Sequence, residues 1–123
     1  MKPYETLTVS GCEYHLKITT AYAVKLEEAL NTDILSGLEK LGSVKTLAEY
    51  YFAALVSQND NINTIADVYQ LFDDYILDGG SYDTLQKLMI DVLCTSGILS
   101  KEIHEASKKA AEKQKEALQK FLN

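Results

Sequence analysis

The apolar residues of TLAEYYFAALVSQ, Thr46 to Gln58, do not keep to one side of a helical wheel. Leu47, Tyr51, Ala54 and Leu55 fill one flank, Tyr50, Phe52, Ala53 and Val56 fill most of the rest, and Glu49 with the last turn supplies the polar part. A helix that is apolar nearly all round is a buried helix. The run YYFAALV would also suit a buried strand, but its length, the paired alanines and the capping box Thr46-x-x-Glu49 select a helix over 46–58 as the centre of the core.

Around it the period of the pattern changes. Leu7 and Val9 alternate with Thr6 and Thr8, then Tyr14, Leu16 and Ile18 alternate with Glu13, His15 and Lys17, with Ser10-Gly11 between the two runs. That is a β-hairpin over residues 4–18, wet on one face and apolar on the other. An isolated hairpin is marginal in water, so its apolar face must lie on helices. His15 falls on the wet face with no nucleophile or carboxylate pattern beside it and reads as a solvated strand residue.

Helical spacing then takes over. Thr19 or Thr20 caps a helix over 20–30 with Tyr22, Leu26 and Leu30 in line, and a short helix over 34–41 shows Ile34, Leu35, Leu38 and Leu41 and closes at Gly42. Thr64-x-x-Asp67 opens a helix over 64–78 whose packing face is Ile65, Val68, Phe72, Tyr75 and Ile76. Gly79-Gly80 breaks the chain, and Ser81 caps a helix over 81–96 with Leu85, Leu88, Met89, Val92 and Leu93 as its core face. Ile90 and Cys94 lie off that face; they either meet a second neighbour, such as the hairpin, or belong to a binding surface. The expected fold is therefore α+β, mainly α: an N-terminal hairpin packed on about five helices, forming one domain over 1–99, followed by a charged tail over 100–123.

The acids of the 64–78 helix stand out against this background. Asp67, Asp74 and Asp78 gather on one side, and Asp73, Asp74 and Asp78 crowd the C-terminal half, where the helix dipole disfavours negative charge and the i, i+4 pair repels. No histidine or calcium-loop spacing accompanies them, so they read as a solvated face and not as a metal site. A local conflict of this kind marks a functional surface. Asp74 and Asp78 are accordingly expected to meet lysines of a partner, and their reversal to lysine is expected to leave the melting temperature unchanged.

Composition narrows the chemistry. With 46% hydrophobic residues and eight tyrosines among 123, the chain has enough apolar surface for one real core. All twelve basic residues are lysine, so the guanidinium fork suited to phosphate and guanine is missing, and direct nucleic-acid binding is not expected. Residues 1–100 hold six lysines against fourteen acids, a net of −8, whereas 101–123 hold six lysines against four glutamates, a net of +2. Body and tail are electrostatically different objects. Gly37, Gly42 and Lys45-Thr46 imitate a phosphate-binding loop, but the lysine arrives late, LEKL is helical and no strand precedes it. Cys12 and Cys94, without a C-x-x-C, read as free thiols of a reducing compartment. The start MKPYETLTV has no apolar core of signal-peptide length, and no apolar run is long enough to span a membrane. No catalytic, cofactor or metal residues are assigned.

The tail is helix-prone, with Glu105–Lys109 and Glu116–Lys120 pairs and a stripe of Ile103, Ala106, Ala110 and Ala117. A stripe of alanines buries little, so the tail is expected to be an amphipathic helix, loosely docked or projecting, or a frayed end. Leu118, Phe121 and Leu122 cluster at its end as a frayed terminus or as a motif for a partner or for self-association.

Two stretches, YETLTVSGCEYHLKITTAYAVKLEEAL and IADVYQLFDDYILDGGSYDTLQKLMIDVLCTSGI, resemble the tail assembly chaperones of long-tailed phages and prophages of Gram-positive bacteria. The resemblance covers residues 4 to about 98 and rests on the hairpin, the Thr-Thr helix start with Leu26-Glu27, the VYQLFDDY helix, the Gly-Gly break and the SG after the last core helix. It implies a non-enzymatic, cytoplasmic morphogenesis factor, absent from the finished virion, that binds the tape measure protein, keeps its helices soluble and helps tail tube subunits gather around it. The competing readings are a small acidic protein-binding inhibitor or nucleic-acid mimic, from the charge of the body, and a minor virion connector protein.

Overall fold

A computed structural model describes residues 2–100 of the chain. The expectations for the tail, including Leu118, Phe121 and Leu122, lie outside the described residues. Two strands, β1 (Glu5–Val9) and β2 (Cys12–Leu16), pair antiparallel from Glu5 opposite Leu16 to Val9 opposite Cys12. Ser10 and Gly11 between them both take positive φ, 51° and 80°, the backbone a two-residue turn needs to match the twist of its strands. Leu7, Val9, Leu16 and Ile18 are buried and Thr6 and Thr8 exposed, as the alternation requires.

Five helices follow: α1 (Thr20–Leu30), α2 (Ile34–Gly37), α3 (Val44–Leu55), α4 (Ile65–Leu77) and α5 (Tyr82–Thr95). The α+β, mainly helical architecture expected from the sequence is the one observed. Helix α3 is its axis, with α1, α4, α5 and β2 all packed on it. Leu47, Ala48, Tyr50, Tyr51, Ala53, Ala54 and Leu55 are all buried along this one helix. Each large side chain so buried stabilises the fold by about 1.5–3 kcal/mol over leaving it exposed. The hydroxyls of its two central tyrosines reach opposite parts of the chain: Tyr50 donates to the Ile34 carbonyl at 2.6 Å and Tyr51 to the Leu85 carbonyl at 2.8 Å. Burial pushes both phenols above their ordinary pKa, with the charges of Asp33 and Glu27 adding to it at Tyr50.

Element boundaries depart from the sequence expectation for local reasons. Helix α3 starts earlier, because Ser43 and not Thr46 is the cap; the Ser43 hydroxyl accepts the Thr46 N–H at 3.4 Å, and Glu49 pairs with Lys45 at 3.8 Å instead of closing a box. It also ends at Leu55, three residues short of Gln58, in a turn whose Gln58 and Asn59 N–H groups both donate to the Leu55 carbonyl at 3.1 Å. Ala54 accepts the Lys17 N–H at 3.0 Å and Leu55 accepts the Asn59 side-chain amide at 2.9 Å. The 34–41 helix is broken into α2 and a 3-10 turn, Leu38–Lys40, and Gly42 does not take the left-handed conformation of a C-cap. Gly37, at the break, is where the Tyr50 hydroxyl approaches the backbone; a Cβ there would lie 2.5 Å from it. Thr19 precedes α1 in extended conformation but its side chain caps nothing.

The remaining ends follow the sequence. Thr64 with Asp67 and Ser81 with Thr84 form reciprocal capping boxes. Helix α4 ends at Gly79 (φ 96°), with Gly80 N–H on the Tyr75 carbonyl and Gly79 N–H on that of Ile76. Helix α5 ends in the same six-to-one and five-to-two pattern at Gly97 (φ 80°).

The hairpin is tied to the helices through its backbone as well as its apolar face. Asn59 lies just beyond α3, and its amide treats β2 as a neighbouring strand would: Oδ1 accepts the His15 N–H at 3.0 Å and Nδ2 donates to the His15 carbonyl at 2.7 Å. Further along, the Ile18 N–H donates to Ser96 Oγ at 2.9 Å, joining the start of α1 to the end of α5.

Candidate functional site

Helices α1 and α4 pack on either flank of α3 and leave an apolar groove of about 310 Å3 between them. From α1 come Tyr22, Leu26 and Ala29, from α3 Phe52 and Ala53, and from α4 Ile65 and Tyr69. The spacing is what helices require: Tyr22, Leu26 and Ala29 follow one face of α1, and Ile65 and Tyr69 stand one turn apart on α4. Ala29 and Ala53 contribute only methyl groups, which keeps the groove open. Phe52 is the one aromatic ring of α3 that is not fully buried, and it is the side that α3 presents here.

Two charged side chains line the groove, Lys25 and Glu49. The Lys25 ammonium lies 4.8 Å from the centroid of the Tyr22 ring, and Glu49 faces Lys45. Tyr69 remains 46% exposed, so the α4 wall of the groove meets solvent. A trough of this volume, apolar with a few charges along it, is the usual form of a binding cleft. Its helical walls suit the apolar face of a further helix.

The residues singled out in the sequence do not gather at this groove. The Asp78 carboxylate accepts the Ser10 N–H of the hairpin turn in a short hydrogen bond, so it holds two parts of the fold together. The expectation that its reversal would spare the melting temperature is corrected by that contact. Asp74 accepts from Gln70 Nε2 at 3.0 Å, one turn back on its own helix, and Asp73 is exposed. Asp67 accepts the N–H groups of Asn63 and Thr64, at 2.8 and 3.0 Å, and these two bonds lower its pKa. Ile90 is buried at 7% exposure, so of its two readings the structure gives packing within the core and no surface for a partner. His15 stacks on Tyr4, ring centroids 4.0 Å apart, and lies 3.8 Å from Glu13. Cys12 is exposed and Cys94 half-buried, both as free thiols.

Among the described residues, no three His, Cys, Asp or Glu side chains converge to hold a metal ion, and no helix is long and apolar enough to cross a membrane. The groove itself was not legible in the sequence. Its only traces were the pairs Tyr22/Leu26 and Ile65/Tyr69, which read equally well as core. The chain matches no protein-family model, and no curated protein or solved structure matches it.

Proposed function

We propose that this chain is a tail assembly chaperone of long-tailed phages or prophages of Gram-positive bacteria, a non-enzymatic factor that binds the tape measure protein. The order of hairpin, helices and glycine breaks on which the sequence resemblance rests supports the reading. The groove between α1, α3 and α4 carries it, because a tape measure protein is a long helical polypeptide whose apolar faces need cover until the tube forms around them. Groove binding of this kind needs no nucleotide; it holds the partner soluble by mass action, through preferential binding to the form that is covered. In this scheme the protein acts in the host cytoplasm, helps tail tube subunits gather, and is left out of the finished virion.

The test is co-expression with a tape measure protein of such a phage, followed by separation of soluble and insoluble material and purification through a tag on the chaperone. The wild-type chain should move the tape measure protein into the soluble fraction and co-purify with it. Tyr69→Asp, a charge placed on the exposed wall of the groove, should abolish co-purification without changing the melting temperature. A tape measure protein that stays insoluble beside the wild-type chain would end the proposal.

A further inference from the structure

We propose that the outer edge of β1 pairs with the same edge of a second copy of this chain, antiparallel about Leu7, so that two hairpins join into one four-stranded sheet. The inference depends neither on the groove nor on the identity of any other partner.

The two edges of the hairpin are treated differently. On β2 the outward backbone is covered from within the fold: Asn59 takes the His15 N–H and C=O at 3.0 and 2.7 Å, and the Ala54 carbonyl takes the Lys17 N–H at 3.0 Å. His15 therefore turns its backbone groups away from β1, and Thr6, its register partner, turns its own away from β2. Hydrogen-bonded and open pairs alternate along an antiparallel ladder, so Thr8, opposite Glu13, faces outward as well. No hydrogen bond from another described segment reaches Thr6 or Thr8, and both residues are exposed. The side-chain hydrogen bonds that α4 and α5 make to this part of the chain lie at the two ends of the strand, Asp78 on the Ser10 N–H and Thr95 on the Glu5 carboxylate. The edge also lacks the usual guards against pairing. Glu5–Val9 contains no lysine and no proline, and its register with β2 runs unbroken, without a bulge.

The occupant follows from the sequence of the edge. In ETLTV, an antiparallel copy centred on Leu7 sets Thr6 against Thr8 and Thr8 against Thr6, and each such pair exchanges two N–H···O bonds, which satisfies every outward group of the two threonines. Threonine opposite threonine is a favourable cross-strand pair. The same register sets Glu5 against Val9, so no carboxylate faces another, whereas centring the pair on Glu5 would set two acids face to face. Leu7 and Val9 are already buried, so the seam adds little apolar area and belongs with the small, transient interfaces. Its dissociation constant is then on the order of 0.1–1 mM. A contact of this strength is open in dilute solution and closes where copies are crowded together.

NMR of the full chain, labelled with 15N, tests this in about 0.3 M salt, which screens the repulsion between two chains of net charge −6. Between about 50 µM and about 1 mM, the Thr6 and Thr8 amide signals should shift along a dimerisation curve while those of α1 to α5 stay in place. Thr8→Pro removes an outward N–H and leaves the ladder between β1 and β2 whole, so it should weaken the dimer by about tenfold or more with an unchanged melting temperature. Two double variants do not need a proline to be accommodated: Thr6→Lys with Thr8→Lys, and Thr6→Glu with Thr8→Glu. Each alone should stay monomeric at the higher concentration, and the two mixed should pair several-fold more tightly than wild type, because every lysine then faces a glutamate. Thr6 and Thr8 signals that stay fixed throughout the wild-type titration overturn the proposal. A dimer that survives in both like-charge variants also overturns it and assigns the association to another surface.

Discussion

Replacing Asn59 tests the joint between the hairpin and the helical body. Its amide makes three hydrogen bonds to backbone, to the His15 N–H at 3.0 Å, the His15 carbonyl at 2.7 Å and the Leu55 carbonyl at 2.9 Å. Asn59→Ala removes all three and leaves the N–H and C=O of half-buried His15 to find water, while the Leu55 carbonyl keeps the Gln58 and Asn59 N–H groups. With a net value of about 1 kcal/mol for each bond, the expected loss is about 3 kcal/mol. For 123 residues, at about 2.1 cal/mol/K per residue, that is roughly 12 °C in melting temperature.

Asn59→Asp is nearly the same size and separates the reasoning from simple loss of packing. At neutral pH it keeps the acceptor for the His15 N–H but sets a charged oxygen against two carbonyl oxygens where Nδ2 donated. It should therefore be no milder than Asn59→Ala at pH 7. The crowding raises the carboxyl pKa in the folded state above its unfolded value of about 3.9. A raised folded pKa favours the folded form as pH falls, so the deficit of the aspartate variant relative to wild type should shrink between pH 7 and pH 4, while that of the alanine variant stays constant. Urea unfolding of the three proteins at both pH values gives the comparison. An aspartate variant as stable as wild type at pH 7, or a deficit that does not narrow on acidification, would refute the idea that Asn59 acts as a surrogate strand.

Three further outcomes are expected. Gly37→Ala puts a Cβ 2.5 Å from the Tyr50 hydroxyl and 3.0 Å from Leu30 Cδ1, so it should cost about 1–3 kcal/mol despite the better helix propensity of alanine, and a double-mutant cycle with Tyr50→Phe should show coupling. Because burial holds the Tyr51 phenol protonated above its ordinary pKa, the stability it contributes is intact below pH 10 and falls above it at about 1.4 kcal/mol per pH unit; chemical denaturation of Tyr51→Phe between pH 9 and 11 should show a shallower decline. Asp78→Ala should lower the urea midpoint by an amount worth about 1 kcal/mol through loss of the Ser10 N–H, whereas Asp74→Ala should stay within about 0.5 kcal/mol of wild type.

These cases also mark what the sequence could and could not disclose. The all-round apolar character of 46–58 is a local property, and it located the buried helix; the alternation of Leu7, Val9, Leu16 and Ile18 likewise located the hairpin. Caps were legible where the spacing was unambiguous, as at Thr64 and Ser81, and misplaced where two candidates compete, as with Ser43 and Thr46. Asn59, between the two helical patterns, carries no signal of its role in the sequence because its partner, His15, is 44 positions away. Asp78 looked like free surface for the same reason, its partner Ser10 being 68 positions away. The groove escaped altogether, since it is assembled from three helices, each of which contributes only two or three apolar residues that a core would need in any case.

The neighbouring tyrosines of α3 bear on how this protein comes into being. One hydroxyl waits for Ile34, already made when Tyr50 is synthesised, and the other for Leu85, made thirty-four residues after Tyr51. While the ribosome is still adding α4 and α5, the most apolar helix of the chain therefore has half its cover missing. The cover that α4 and α5 give α3 can therefore be added only once synthesis has passed Leu85, whereas that of β2 and α1 is already in the chain.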